Sequence, residues 1–314
     1  LATNKHQQDP SKTTGSQPRP ENLDKNRLVG TLIIVATITT ILYLPLFPHL
    51  LNSWWSDPYY SHGFLIPIIS AFLIYLNRKK LGQELLTAKR DTSLWLLPGI
   101  GLYMLGMLLW NPFQTDLLRS IQTFWGDFLV GVSLILVLLG MATHLYGRKA
   151  AKHLVFPLLF LVFMVPLPAT YVAEAAMASQ GVSVSGTAIL LDLIGVPYER
   201  LGNQLLLQSE SPVVMVIDLP CSGIRSIIAL LAVTAVFVYL VDLAPQKKVL
   251  LYLCVVPVAL LANILRITFL MVVAHYISQE AALGIFHKAY SLVLFMVALL
   301  ILMGIWRVLR CSQV

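Results

Sequence analysis

Charged side chains are scarce in this chain. Aspartate, glutamate, lysine and arginine make up 12% of its 314 residues, whereas 57% are hydrophobic. A soluble domain carries about 25% charged residues, so this deficit, together with a mean hydropathy of +0.77, excludes a soluble globular protein. Cysteine is scarcer still: Cys221, Cys254 and Cys311 are the three, with no C-x-x-C pair. Neither a disulfide framework nor a cysteine-based metal site is written into that spacing. No small-residue cleavage site follows the first apolar run, whose length suits a span rather than a removable signal. Nothing repeats at a fixed period.

What is present is a series of apolar runs. Residues 1–27 are rich in Gln, Pro, Thr, Lys and Asn, bury too little apolar surface to fold, and read as a disordered cytoplasmic tail. Runs of bilayer-spanning length then begin near Leu28, Leu94, Phe124, His153, Ile224, Val249 and Ala289, with a shorter one over Gly63 to Leu76. The expectation is an all-α polytopic membrane protein with about eight transmembrane helices, forming one transmembrane domain over residues 28–310.

The net charge of +7 reads as topology, not as affinity for nucleic acid. Lys25/Arg27, Arg78/Lys79/Lys80/Lys89/Arg90, Arg148/Lys149/Lys152, Lys247/Lys248 and Arg307/Arg310 fall on every second connection, so both termini are expected in the cytoplasm. The opposite connections hold few basic residues, chiefly Arg119, Arg200 and Lys288, and carry Trp54 and Trp55 as expected interfacial anchors. The largest of them runs from about Tyr171 to Pro220. Its first half reads as a helix lying on the membrane surface and stopping at Gly195-Val-Pro197. Its second half reads as a small β-hairpin on the outer face, Gln204–Gln208 pairing with Val213–Asp218, that delivers the chain to Cys221.

The stretch Asp218-Leu-Pro-Cys221-Ser222-Gly223-Ile-Arg225 places a thiol at the mouth of the next apolar run. Amides in the first turn of a helix lack intrahelical partners, and with the helix dipole they favour thiolate. Arg225, four residues on, shares that helix face and acts in the same sense. Rise per residue converts spacing into depth. Asp242 to Cys221 spans about 31 Å, Lys248 to Arg266 about 27 Å and Arg307 back to His287 about 30 Å. Cys221, Arg266 and His287 are thereby expected in one outer-leaflet plane, each from a different helix. Arg266 lies inside an apolar run, where a charge is costly and by default functional or paired, although a snorkelling arginine is the plainer reading. Asn263, three residues earlier, can hold the guanidinium. Cys254, between Leu253 and Val255, reads as packing; His49, His144 and His153 read as interfacial rings, and His275 is the nearest competitor to His287. A thiol, a cation for an oxyanion and a proton carrier together make an acyl-transfer set.

At these residues the chain resembles the exosortase/archaeosortase family of membrane cysteine transpeptidases. The resemblance covers roughly residues 55–300 through Tyr60-Ser-His62-Gly63-Phe-Leu-Ile-Pro67, Phe156-Pro157 to Pro166-Leu-Pro168, Cys221-Ser222-Gly223, Asn263-x-x-Arg266 and His287. Ser291 departs from it, standing where a glycine is expected. The resemblance implies Cys221 as nucleophile, with Arg266 and His287 completing the site and His62, Ser222, Gly223, Arg225 and Asn263 supporting it. It also implies membrane-anchored protein substrates with a C-terminal Pro-Glu-Pro (PEP-CTERM) sorting signal, and an amine, glycan or lipid acceptor at the cell surface. The expected location is the inner membrane, with the site facing outward. No metal or organic cofactor is implied. The rival reading is a polysaccharide or lipid transporter that binds an anionic headgroup through Arg225, Arg266 and His287; the absence of paired interrupted spans speaks against it.

Overall fold

The computed structural model describes residues 20–85, 95–109, 116–207, 223–282, 284 and 287–311. It divides into two units, 1–45 and 46–314. Helix α1, Pro20–Tyr43, belongs to the first. It starts inside the stretch 1–27 expected to lack structure, because proline fits a first helical position whose amide would be unpaired in any case. It stops two residues before Pro45, in keeping with the bias of a pre-proline residue away from helix.

The second unit opens with α2 (Leu46–Ser56), a short 3-10 turn over Ser61–Phe64, and α3 (Leu65–Leu85). Helices α4 (Leu96–Leu109) and α5 (Asp116–Phe160) follow. The segment labelled α5 is two helices joined at a non-helical residue, Gly147 at φ 73°, ψ 164°. Gly131 packs directly against Val165, whereas a straight helix would put them roughly 50 Å apart. The chain therefore turns back on itself at Gly147. The arm before the turn packs against α4 through Gly99 on Val137 and Gly106 on Val130, where missing side chains let the backbones approach. The arm after it packs against α3. Pro157 has no N–H for the carbonyl of His153, and Asn77 of α3 supplies one instead at 3.4 Å while also donating to the Tyr239 hydroxyl at 2.8 Å. Ser70 donates to the Pro157 carbonyl at 2.7 Å.

A second 3-10 turn, Leu161–Met164, leads through Pro166 and Pro168 to α6 (Ala169–Ile194), then β1 (Tyr198–Leu201) and β2 (Gln204–Leu207). Helices α7 (Ile224–Leu240), α8 (Pro245–Leu253), α9 (Val255–Tyr276), the three-residue α10 (Gln279–Ala281) and α11 (His287–Cys311) complete the chain. The break between α8 and α9 at Cys254 follows from Pro257, whose ring clashes with the carbonyl four residues earlier. Two apolar clusters organise this part. Val184 and Leu191 of α6 pack with Leu205 and Leu207 of the hairpin and Ile267, Leu270 and Met271 of α9. Ile227 and Leu230 of α7 pack with Leu251, Val255, Val258 and Ala259, and with Ala298 and Leu302 of α11.

Several expectations change. The eight-span count is not confirmed: among the described residues, Trp125–Met164, Ala169–Ile194, Pro245–Tyr276 and Leu292–Cys311 are long and apolar enough to cross a bilayer, with a fifth if Ile33–Tyr43 and Leu46–Ser56 count as one span. The runs expected from Phe124 and His153 are both present, as two helical arms that meet at the non-helical Gly147. Helix α3 carries Arg78, Lys79 and Lys80 within it, and α4 and α7 are shorter apolar helices of 14 and 17 described residues, against a spanning range of about 17–25. The segment expected on the membrane surface is the 26-residue α6, which has the length and apolarity of a span. The hairpin that is described joins β2 antiparallel to β1, Leu201 opposite Gln204, across a two-residue Gly202-Asn203 loop. Val213–Asp218 lies outside the described residues. That dipeptide is itself a hairpin signal. Trp54 is buried at 7% exposure, whereas Trp55 is 86% exposed.

Gly147 generates a stability prediction. Its φ/ψ combination is nearly exclusive to glycine, and a side chain there costs about 1–3 kcal/mol. Gly147→Ala is expected to lower the unfolding free energy of the detergent-solubilised protein by that amount, read as a lower denaturation midpoint; an unchanged midpoint would mean that the fold-back does not depend on this residue.

Candidate active site at the start of helix α7

The start of α7 is held by a glycine on an asparagine. Gly223 is the N-cap, at φ 85°, and a Cβ built on it would lie 2.8 Å from Cγ of Asn263. Both the backbone and the contact therefore require glycine. Asn263 of α9 is 4% exposed, and its Nδ2 donates to the Ser183 hydroxyl of α6 at 2.8 Å. A buried amide left without such an acceptor costs about 1–3 kcal/mol, so this bond fixes which way Asn263 faces. The same seam brings Gly186 of α6 against Ile264, and the Thr187 hydroxyl donates to the Ile264 carbonyl at 3.4 Å. Three helices thus meet at one polar contact.

That contact sits well inside the molecule. Asn263 lies near the middle of α9, which runs on for roughly 20 Å beyond it and carries the hairpin packed on its far half. The mouth of α7 is therefore recessed beside α9. Arg266 is three residues beyond Asn263 and half-buried. Across the seam with α11, Phe269 stacks on Tyr290 with ring centroids 3.8 Å apart and planes inclined by 19°. Arg266 precedes Phe269 by three residues and His287 precedes Tyr290 by three in an antiparallel neighbour, so their Cα atoms are offset by about 9 Å along the axes. An arginine side chain is long enough to cover much of that offset. Only the backbone of His287 is described; Cys221 and Ser222 lie outside the described residues.

A second set of contacts brings the early motif to α7. The Arg225 guanidinium donates to the Ser61 hydroxyl at 3.3 Å, joining residues 164 positions apart. The 3-10 turn that carries Ser61 is clamped on both sides. Gly63 lies so close to the Trp54 indole that a Cβ there would overlap it, Trp54 Nε1 donates to the Met164 carbonyl at 2.8 Å, and the Leu167 amide donates to the Tyr60 hydroxyl at 2.8 Å. Burial is the chief reason that the Tyr60 phenol is pushed up to about 12. His62 shares the turn. Its Nε2 is buried, with no hydrogen-bond partner among the described residues. Burial holds its pKa below the ordinary value, a hydrogen bond with the Phe163 backbone opposes this, and the charge of Arg225 lowers it further. His62 is thus kept neutral beside a fixed cation.

Of the residues singled out from the sequence, Gly223 with Asn263, and Arg225 with the turn holding His62, are brought into contact. Ser183 and Phe163 take part without having been singled out, Ser61 had no role assigned within its motif, and Trp54 was expected only as an interfacial anchor; distance in the fold, not spacing, reveals these contacts. Asn263 was expected to hold Arg266; the contacts described here are to Ser183 and beneath Gly223. Cys254 is half-buried and Cys311 exposed.

The lowered His62 pKa carries a pH prediction. A base whose folded pKa is depressed costs nothing above its unfolded value of 6.5, and destabilises the fold as pH falls through and below that value, because the unfolded chain binds the proton first. Melting temperature in detergent is expected to fall below about pH 6.5 more steeply for the wild type than for His62→Gln. Parallel profiles would show that His62 is not held neutral.

A family model described as transmembrane exosortase matches residues 54–304. No curated protein and no solved structure matches the chain.

Proposed function

We propose, from the premise that this chain belongs to the transmembrane exosortase family of multi-pass membrane cysteine transpeptidases, that Cys221 is its nucleophile and that Arg266 and His287 complete the catalytic set. The observation that carries this reading is the seating of Gly223 on Asn263. It ties the start of α7, two residues after the thiol, to the helix that bears Arg266, one turn further along. The substrate is a membrane-anchored protein whose C-terminal Pro-Glu-Pro signal reaches the recessed mouth of α7 from the outer side of the inner membrane, its own span lying beside the enzyme's helices.

The chemistry follows from the residue types. The first-turn amides and dipole of α7 favour the thiolate. Sulfur attacks the scissile carbonyl carbon, Arg266 stabilises the oxyanion that forms, the C–N bond breaks, and the leaving amine takes a proton from the His287 imidazolium. The product is a thioester. An amine acceptor, or water, then attacks that thioester carbonyl, gives up a proton and restores the thiol.

The two arginines separate under mutation. A donor aimed at developing charge is worth about 3–4 kcal/mol, or roughly 100- to 1000-fold in rate. Arg225 is already engaged with Ser61. At matched membrane abundance Cys221→Ala and Arg266→Ala are expected to abolish substrate processing, Arg266→Lys to be poor because an ammonium lacks the planar fork, and Arg225→Ala to retain a measurable fraction. An inactive Arg225→Ala beside an active Arg266→Ala would move the oxyanion role to Arg225; an active Cys221→Ala would end the nucleophile assignment and favour the transporter reading.

Gly223→Ala tests the seat itself. It forces a Cβ against Asn263, whereas at Gly304 a Cβ meets nothing within 4 Å. Processing is expected to fall at least tenfold in Gly223→Ala, equivalent to about 1.4 kcal/mol, and to persist in Gly304→Ala. Equal activity would show that the Gly223–Asn263 contact does not align the site.

A further inference from the structure

Behind the turn that meets α7 lies a cavity of about 190 Å³, far more room than a single water needs. Its walls are of two kinds. Val172, Ala173 and Ala176 of α6, with Pro166 and Leu167, make an apolar side; Ser53, Asp57, Tyr59, Tyr60 and Asp127 make a polar one. Two carboxylates from distant parts of the chain thus face one small space, and no lysine or arginine is among the described residues that line it. The nearest basic group to Asp127 is His49, whose Nδ1 lies 3.6 Å from Oδ2. Asp57 accepts the Tyr59 amide on Oδ1 at 2.8 Å, which leaves most of the four or so lone-pair positions of a carboxylate for another donor.

Such a chamber discriminates by charge. Two carboxylates repel the glutamate of a sorting signal and attract a cation with several N–H donors, while the alanine and valine wall accommodates a short alkyl stem. Its position is equally specific. Tyr60 and Leu167 are joined by the hydrogen bond between the Leu167 amide and the Tyr60 hydroxyl, and both line the cavity; Ser61, the next residue, accepts the Arg225 guanidinium from the first turn of α7. The cavity and the mouth of α7 lie on two sides of one short turn.

We propose that this cavity seats the acceptor of the transfer reaction, a primary amine held in its ammonium form by Asp57 and Asp127. The proposal rests on the transpeptidase reading above and names the class of its second substrate. The balance is simple. The ammonium releases one proton, its nitrogen forms a C–N bond to the thioester carbonyl as the C–S bond breaks, and the sulfur leaves as thiolate and takes the second N–H proton. Thioester and ammonium thus become amide, thiol and one free proton. Seating the amine in a cavity that borders the turn meeting α7 raises its concentration near the start of that helix against water, which is what turns a protease into a transferase.

The test uses the full-length enzyme in detergent, a substrate ending in the sorting signal, and n-propylamine as probe with 1-propanol as its uncharged isostere. Mass spectrometry reads the partition of cleaved substrate between amide, ester and free acid. Wild type is expected to form the amide with saturation and little ester. Asp57→Asn and Asp127→Asn are expected to raise the amine concentration for half-maximal partition about tenfold or more, the size of a lost charge-assisted hydrogen bond. Ala173→Leu keeps both carboxylates and narrows the apolar side, and is expected to shift preference from propylamine to methylamine. Cleavage with an unsaturable amine partition, with equal partition to propanol, or with unchanged partition in all three variants overturns this inference and leaves the transpeptidase reading standing. Failure of the wild type to cleave the substrate overturns that reading, and this inference with it.

Discussion

The Asn263 amide, buried between Ser183 of α6 and Gly223 of α7, is the contact on which the meeting of three helices depends. An amide in an apolar seam is tolerable only with its hydrogen bonds made, and Ser183 meets that demand from one side. On the other side the amide carbon lies so close to Gly223 that no larger residue fits. The start of α7 is thereby fixed to mid-length α9, one turn from Arg266 and recessed from the end of that helix.

Fixing α7 lengthwise does not fix what it faces. That task falls to the turn over Ser61–Phe64, gripped by the Trp54 indole and by the backbone around Met164 and Leu167. Ser61 takes the Arg225 guanidinium, and His62 is left neutral beside it. A neutral imidazole next to a permanent cation can accept a proton, whereas a charged one cannot. Behind the same turn the charge pattern reverses, from Arg225 to Asp57 and Asp127. One short turn thus meets the Arg225 guanidinium through Ser61 and adjoins the carboxylate-lined cavity through Tyr60.

The first half of the unit supplies rigidity. Gly147 folds α5 back so that each of its arms packs against a different neighbour, and the carbonyl that Pro157 orphans is recovered by Asn77. Proline inside an apolar helix is otherwise a loss of at least one hydrogen bond. Here the loss becomes a cross-link between α3 and α5, and it holds the turn after α5 where Trp54 reaches it.

Composition and period determined the class of this protein without help from the fold. Scarce charge, apolar runs and basic clusters between them dictate membrane helices, and short motifs at Cys221, Asn263-x-x-Arg266 and His287 identify the family. A strand over Gln204–Leu207 was also legible, whereas its pairing with Tyr198–Leu201 across Gly202-Asn203 was not. Tertiary structure decided the rest. Apolar run length says nothing of the φ of 73° at Gly147 that folds the arms expected from Phe124 and His153 against each other, and α6 emerged with the length of a span rather than as a surface element. The contacts that organise the site, Ser183 with Asn263 and Ser61 with Arg225, join residues 80 and 164 positions apart. Helical and strand periodicity reports only on neighbours within a few turns; which distant serine meets which amide or guanidinium is set by the packing of whole helices, and that is settled only when the chain has folded.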